Sequence, residues 1–260
     1  HLPSLTRPKR APRAGAAAAA AEATPGGLLA LAYPDRIAQR RGRAQDQGRY
    51  LLADGSGAVL PRGDALVVHR YLVIADLAAG SGDQRIRAAL PIDEAELRQR
   101  LEERIERRMT QHWDEALGAV VARDETRLGA LLLDSQPVPI RDAEAAQRLL
   151  LAAVARDLGS ALDWTDSARQ LQARVELARR QEPSAGWPDL SDEWLAAHGS
   201  EWLGPWLVGK TRLADVRGLD LVQILTQALG WQRAARLDSL APAQIATPAG
   251  IRRRLDYTAG

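Results

Sequence analysis

The sequence predicts an α+β chain, with a small β-barrel followed by a mainly helical C-terminal domain. Three observations point there. Short β-rich runs separated by Gly- and Asp-containing turns fill residues 49–92. One helical segment at 93–109 interrupts them before a further β-rich stretch at 115–134. Beyond Pro137-Val138-Pro139 the apolar spacing changes from two to three and four.

Taken in order, residues 1–27 are rich in Pro, Gly, Ala and basic side chains with little to bury, which reads as a flexible linker or tail. Residues 49–60 read as a hairpin turning at Asp54-Gly55-Ser56-Gly57. Residues 66–77 form a long β-rich run with His69 inside it, and 84–92 another. In 93–109, Leu97, Leu101, Ile105 and Met109 recur every four residues, and Asp93 with Glu96 resembles a capping box. Residues 115–134 read as a second hairpin turning near Asp124-Glu125-Thr126. Strands with one intervening helix over this length suggest a barrel of OB type at 48–137. Helices are then expected at 141–156, 164–181, 191–206, 214–229 and 231–240, punctuated by Gly and Pro.

The 260 residues are 46% hydrophobic, enough for a substantial core, and no apolar run approaches the ~18 residues of a membrane span. There is no cysteine, so disulfides, thiolate nucleophiles and Cys-ligated zinc are excluded. With no signal-peptide pattern, a cytoplasmic location is expected. The chain begins with His1 rather than Met and reads as an internal fragment of a longer protein. Net charge is +2, yet residues 1–49 hold nine basic side chains against three acidic ones. Nearly all the basic charge is arginine, whose planar fork suits phosphate; a GC-rich coding sequence accounts for the same excess.

Candidate phosphate contacts are Arg36, Arg40, Arg41, Arg43 and Arg49, then Arg123 and Arg127 flanking the expected second turn, then Arg252, Arg253 and Arg254. A solubilising surface is the competing reading. The stretch GPWLVGKT at 204–211 satisfies the phosphate-loop pattern G-x-x-x-x-G-K-[ST]. Its surroundings do not: a helical pattern precedes it, and its interior holds Pro205, Trp206, Leu207 and Val208. It is expected to be a turn around an apolar segment, without Lys210 or Thr211 binding a nucleotide. Trp194 and Trp202 fall on helical spacing and are expected in a core. His198 has no triad or metal spacing around it, and Asp189 and Asp192 read as turn and cap residues. No catalytic and no metal-ligating residue is signalled.

Several strings, in order, resemble the HrpB family of bacterial DEAH-box ATP-dependent helicases. LLALAYPDRIAQRRG (28–42), GRYLLADGSGAVL (48–60), LVIADL with RIRAALPI (72–92) and RLGALLLDSQPVPI (127–140) resemble the region after the motor. GWPDLSDEWL (186–195), WLGPWLVG (202–209) and TPAGIRRRLDY (247–257) resemble the family's C-terminal region. The resemblance implies the end of a helical ratchet-type segment and connector at 28–47, an OB-like domain at 48–137, and the family's C-terminal domain at 138–260, truncated after LDY. ATP and Mg2+ would sit in two RecA-like motor domains outside these residues, so this region carries no cofactor. The implied role is non-catalytic: holding single-stranded RNA or DNA and docking on the motor of the same polypeptide. The alternative is a protein–protein interaction module without nucleic-acid binding.

Overall fold

The computed structural model describes residues 24–42, 48–78, 82–248 and 250–258. The chain divides into two compact units: residues 1–108 with 125–135, and 109–124 with 136–260. The tail expected at 1–27 lies, up to residue 23, outside the described residues.

In the first unit, α1 (Pro25–Ala32) starts at Thr24, whose side chain accepts the Gly27 N–H. Five strands follow: β1 (Ile37–Arg40), β2 (Arg49–Leu52), β3 (Gly57–Val59), β4 (Tyr71–Ala78) and β5 (Gln84–Pro91). They close into a barrel in the order β1-β2-β3-β5-β4, with β1 pairing β4. Every pairing is antiparallel except β3 with β5. Strand alternation sends Ala38, Tyr50, Leu52, Ala58, Leu72, Ile74 and Ile86 into the barrel core. The opposite faces of β1 and β4, bearing Ile37, Tyr71 and Val73, are buried against Ala30, Ile92, Leu97, Leu101, Leu128, Leu131 and Leu133. β4 is thus covered on both faces, which is why Tyr71–Ile74 reads as an unbroken apolar run.

The first hairpin turns at 54–57 as expected, with Asp54 accepting the Ser56 N–H at 2.8 Å and Gly55 at φ +91°. The run at 66–77 becomes strand only from Tyr71. Ala65–Val68 is a 3-10 turn capped by Asp64, and His69 follows it rather than lying in a strand. The Tyr50 hydroxyl reaches the carbonyl oxygens of His69 (2.9 Å) and Leu66 (3.2 Å), tying this turn to the barrel. Burial pushes the Tyr50 phenol up, so it remains a donor.

The helix expected over 93–109 is much shorter. α2 (Glu94–Arg100) passes through a 3-10 turn, Glu102–Arg104, into β6 (Ile105–Asp114). Leu97 and Leu101 are buried as predicted, but Met109 is 53% exposed. Glu106–Met109 are good helix formers, but Ile105, Thr110 and Trp113 favour strand, and pairing with β7 (Ala119–Leu128) decides the whole segment. β8 (Leu131–Val138) completes a three-stranded sheet in the order β6-β7-β8. The second hairpin does not turn at Asp124–Thr126, which lie within β7. Glycine sets the turn instead: Gly129 has φ +55°, and a Cβ there would lie 2.3 Å from the Ala53 carbonyl oxygen. The charged residues that suggested a turn are absorbed locally, since Glu125 is buried and pairs with Arg127 at 2.8 Å.

The capping box is also rearranged. Asp93 makes no side-chain cap bond, and Glu96 instead accepts from the Thr24 hydroxyl (2.7 Å) and N–H (3.1 Å). The hydroxyl bond is the main reason the Glu96 carboxyl sits below its ordinary value; burial opposes it, while the Thr24 N–H and Arg100 add to it. A depressed folded value means the stabilisation is present above the ordinary carboxylate pKa of about 4.3 and is lost as pH falls through the lower folded value. Glu96→Gln is therefore expected to be less stable than the parent at pH 6, with the gap closing below about pH 4.3. Urea denaturation at pH 6 and pH 3 measures this; an equal gap at both would refute the assignment.

The second unit carries α3 (Ala143–Arg156), α4 (Leu158–Ala161), α5 (Asp166–Gln181), α6 (Asp192–Ala197), α7 (Gly199–Trp202), α8 (Leu213–Arg217), α9 (Leu221–Leu229) and α10 (Trp231–Leu240). Asp142, Thr165, Ser191 and Asp220 cap α3, α5, α6 and α9 with side-chain acceptors. The helices expected at 191–206 and 214–229 are each broken, the first at His198 and again before a 3-10 turn at Gly204–Leu207, the second after Arg217. A hairpin of β9 (Gln244–Ala246) and β10 (Arg252–Arg254) follows, unforeseen because its strands are only three residues long and exposed. The core gathers Leu150, Val154, Val175, Leu195, Leu203, Ile224, Leu225 and Leu229. Trp202 joins it, 4% exposed, donating Nε1–H to the Leu195 carbonyl at 2.8 Å. Trp194 is half-buried, stacked on His198 with ring centroids 4.3 Å apart. Among the described residues, no helix is long and apolar enough to cross a membrane.

Candidate nucleic-acid interface

The arginines singled out from the sequence separate into distinct roles once the strands are in register. Arg36 donates to the Ala75 carbonyl at 3.1 Å and lies over the Tyr33 ring at 5.0 Å. Arg40 pairs in register with the buried Tyr50, and its guanidinium donates to the Val67 carbonyl at 2.8 Å. Both side chains hold backbone carbonyls and are committed to the fold. Arg43 lies outside the described residues. Arg123 and Arg127 do not flank a turn but lie within β7. Arg123 has an interaction partner of its own, and Arg127 donates to Glu125 and to the Ala130 carbonyl.

Arg41 and Arg49 are different. The β1–β2 register runs Ala38↔Leu52, Gln39↔Leu51 and Arg40↔Tyr50, and the Arg41 N–H continues it onto the Arg49 carbonyl at 2.8 Å. Two arginines eight residues apart in sequence therefore stand directly opposite each other. Both are exposed, and neither side chain has a hydrogen-bond or ionic partner among the described residues. Like charges directly opposite across a ladder are destabilising. A bound polyanion would relieve that repulsion.

The row continues beyond the pair. Arg49 is in register with Val59 on β3, and Val59 with Arg85 on β5. Cross-strand partners share a face, so Arg41, Arg49 and Arg85 line one outer row over three strand spacings, about 14 Å. Arg85 was not among the sequence candidates. Its signal was present in the alternation of residues 84–92, where Arg85 and Arg87 flank the inward Ile86. Arg87 stands near Asp76 at 3.9 Å, whereas Arg85 is exposed and has no partner among the described residues.

In the second unit, Arg252, Arg253 and Arg254 occupy β10 and are exposed. Strand alternation puts Arg253 on the face opposite Arg252 and Arg254, so the triplet is not one patch. Arg254 pairs with Asp166 at 2.6 Å.

The stretch GPWLVGKT lacks the geometry of a phosphate loop. It follows a helix, not a strand, and begins with the 3-10 turn Gly204–Leu207. Pro205 has no N–H, and the amides of Trp206 and Lys210 are already bonded to Leu203 and Leu207 carbonyls at 2.9 Å. The Thr211 carbonyl accepts the Val120 N–H at 2.8 Å, joining the start of β7. Among the described residues there is no cluster of acidic and histidine side chains able to hold a metal ion.

Comparison with known proteins now bears on these features. Residues 202–260 match the family described as ATP-dependent helicase C-terminal (HrpB_C), and residues 104–138 match the connector region of ATP-dependent RNA helicase HrpB. The chain is 38% identical over 233 residues to ATP-dependent RNA helicase HrpB of Escherichia coli (strain K12). That match takes in 88% of this chain and 28% of the relative, so the chain spans little more than a quarter of its length. Two solved structures are similar as well. One, of the E. coli DExH-box NTPase HrpB, is 38% identical over 88% of this chain and 28% of its own, with a TM-score of 0.44. The other, of the E. coli DEAH/RHA helicase HrpB, is 34% identical over 89% of this chain and 29% of its own, with a TM-score of 0.45.

Proposed function

We propose that this chain, whose sequence matches the C-terminal region of HrpB-type helicases, serves as the non-catalytic, strand-holding part of an ATP-dependent RNA helicase. The observation that carries the reading is the unpartnered Arg41–Arg49 pair, extended by Arg85, on the outside of a closed five-stranded barrel. We read the strand order 1-2-3-5-4, with its parallel β3–β5 pairing, as support for a barrel of OB type. Barrels of that type use the face of strands 2 and 3 and the loops between strands 1 and 2 and between 4 and 5 for oligonucleotides. Arg41 and Arg49 border the first of those loops.

The chemistry is sequence-independent. Guanidinium groups neutralise successive phosphates of a single strand, release counterions and fix the strand against a rigid wall. ATP hydrolysis and Mg2+ binding belong, in this reading, to RecA-like motor domains of the same polypeptide, onto which this region docks. Motor-driven movement then draws the strand past a fixed surface.

Titration of labelled oligo-U with the chain at increasing salt tests the proposal. Saturable binding whose log affinity falls linearly with log salt is expected, with a slope of about −0.7 per phosphate contacted. Absence of saturable binding at low salt would favour a protein–protein interaction module instead.

A further inference from the structure

In the second unit, α5, α9, α10 and the β9–β10 hairpin frame a cavity of about 470 Å3. That lies within the ~300–1,000 Å3 typical of small-ligand sites. Its apolar lining includes the buried Leu229 and Leu237 together with Leu171. Arg174 also lines it, although only 9% exposed. Nε of Arg174 donates to the Ala241 carbonyl at 2.7 Å and Nη2 to the Asp238 carboxylate, while Nη1 has no hydrogen bond among the described residues. A guanidinium offers five donors and accepts nothing. The Arg174 Nη1 is not sealed from solvent, so an acceptor entering the cavity would take the place of water at a guanidinium already fixed by two bonds.

The rim supplies the second element. Arg254 lines the cavity with its side chain half-exposed, Nη2 paired with Asp166 at 2.6 Å and its other nitrogens left for a phosphate, and Arg252 shares its face of β10. Thr226 and Ser167 stand exposed at the cavity wall. An apolar floor, a guanidinium fixed in place with a donor to spare and an outer arginine match the three parts of a nucleotide: ring face, base-edge carbonyl and phosphate. We infer that this cavity takes one unpaired nucleotide of a bound strand, its base against the apolar floor with an acceptor toward Arg174 and its phosphate at Arg254. This rests on the strand-holding reading above and adds to it a base-sized pocket in the second unit.

Saturation-transfer NMR on the full chain with UMP and uridine tests the inference. Transfer to the uracil protons is expected, with UMP bound about tenfold more tightly than uridine, the worth of one charge-assisted phosphate contact. Thr226→Trp and Ser167→Trp each fill the mouth without removing a core side chain, and both are expected to abolish the transfer while melting as the parent does. Arg254→Gln is expected to bring the two affinities together. Transfer that survives in both tryptophan variants would overturn the site. The double variant Arg41→Glu/Arg49→Glu is expected to leave UMP transfer intact, and its loss there would equally overturn it. Failure of oligo-U to bind, with UMP transfer intact and sensitive to Thr226→Trp, would sink the strand-holding reading and leave a nucleotide site standing.

Discussion

Reversing both charges of the Arg41–Arg49 pair is expected to weaken oligo-U binding about a hundredfold at low salt, roughly tenfold for each arginine–phosphate bond removed. The salt slope is expected to fall by about 1.4, the share of two phosphates on a single strand. The fold should survive. Both side chains are exposed and have no partner among the described residues, so Arg41→Glu/Arg49→Glu removes a like-charge juxtaposition only to install another of opposite sign. Arg40 is deliberately left in place. Its guanidinium holds the Val67 carbonyl, so its removal would mix a binding effect with a folding one. Arg85→Glu alone should reproduce about half of the slope change. An unaltered affinity and slope in the double variant would remove the barrel row from the interface.

Truncating Trp202 is expected to cost the second unit about 3–5 kcal/mol, the range for deleting a buried aromatic side chain. Two effects combine there. The ring is buried in the same core as Leu195, Leu203 and Leu207, and its N–H satisfies the Leu195 carbonyl where α6 gives way to α7. Trp202→Phe keeps most of the apolar burial but strands that carbonyl, so a loss of about 1–3 kcal/mol is expected. Urea denaturation followed by far-ultraviolet circular dichroism separates the two. A Trp202→Ala variant within about 1 kcal/mol of the parent would mean that the core does not depend on this ring. Trp231, 79% exposed at the start of α10, offers the matching control, since its truncation removes little buried area.

The two substitutions also show where sequence reading succeeds. Trp202 was legible because helical spacing is a local property and a tryptophan on an apolar face is seldom left in water. The first hairpin was legible for the same reason, since its turn residues Asp54–Gly57 lie between two short β-rich runs. The arginines were not separable in this way. Arg40 and Arg41 are neighbours of identical chemistry, and only the direction in which β1 presents each one sends the first onto a carbonyl and the second into solvent.

Two errors have a common origin. The four-residue spacing of Leu97, Leu101, Ile105 and Met109 and the charged cluster Asp124–Thr126 are strong local signals, for a helix and a turn respectively. Both were overruled by the ladder of β6, β7 and β8, a meander of three consecutive strands whose pairing outweighs the preferences of single segments. The glycine at 129, with positive φ and no room for a Cβ, was the true turn residue and looked no different in sequence from any other glycine.

What the sequence determined by itself was the α+β character, the strands of the first hairpin and β5, the approximate starts of α3, α5, α6, α8 and α10, the core tryptophan and the order of family motifs. Each depends on interactions within a turn or two of chain. The tertiary structure alone decided that β1 closes the barrel onto β4, that residues 105–114 are strand, and that Arg41, Arg49 and Arg85 form one row. Closure joins strands distant in sequence, pairing outweighs the helix preference of a single segment, and register fixes which side chains share a face; none of these is carried by a local preference.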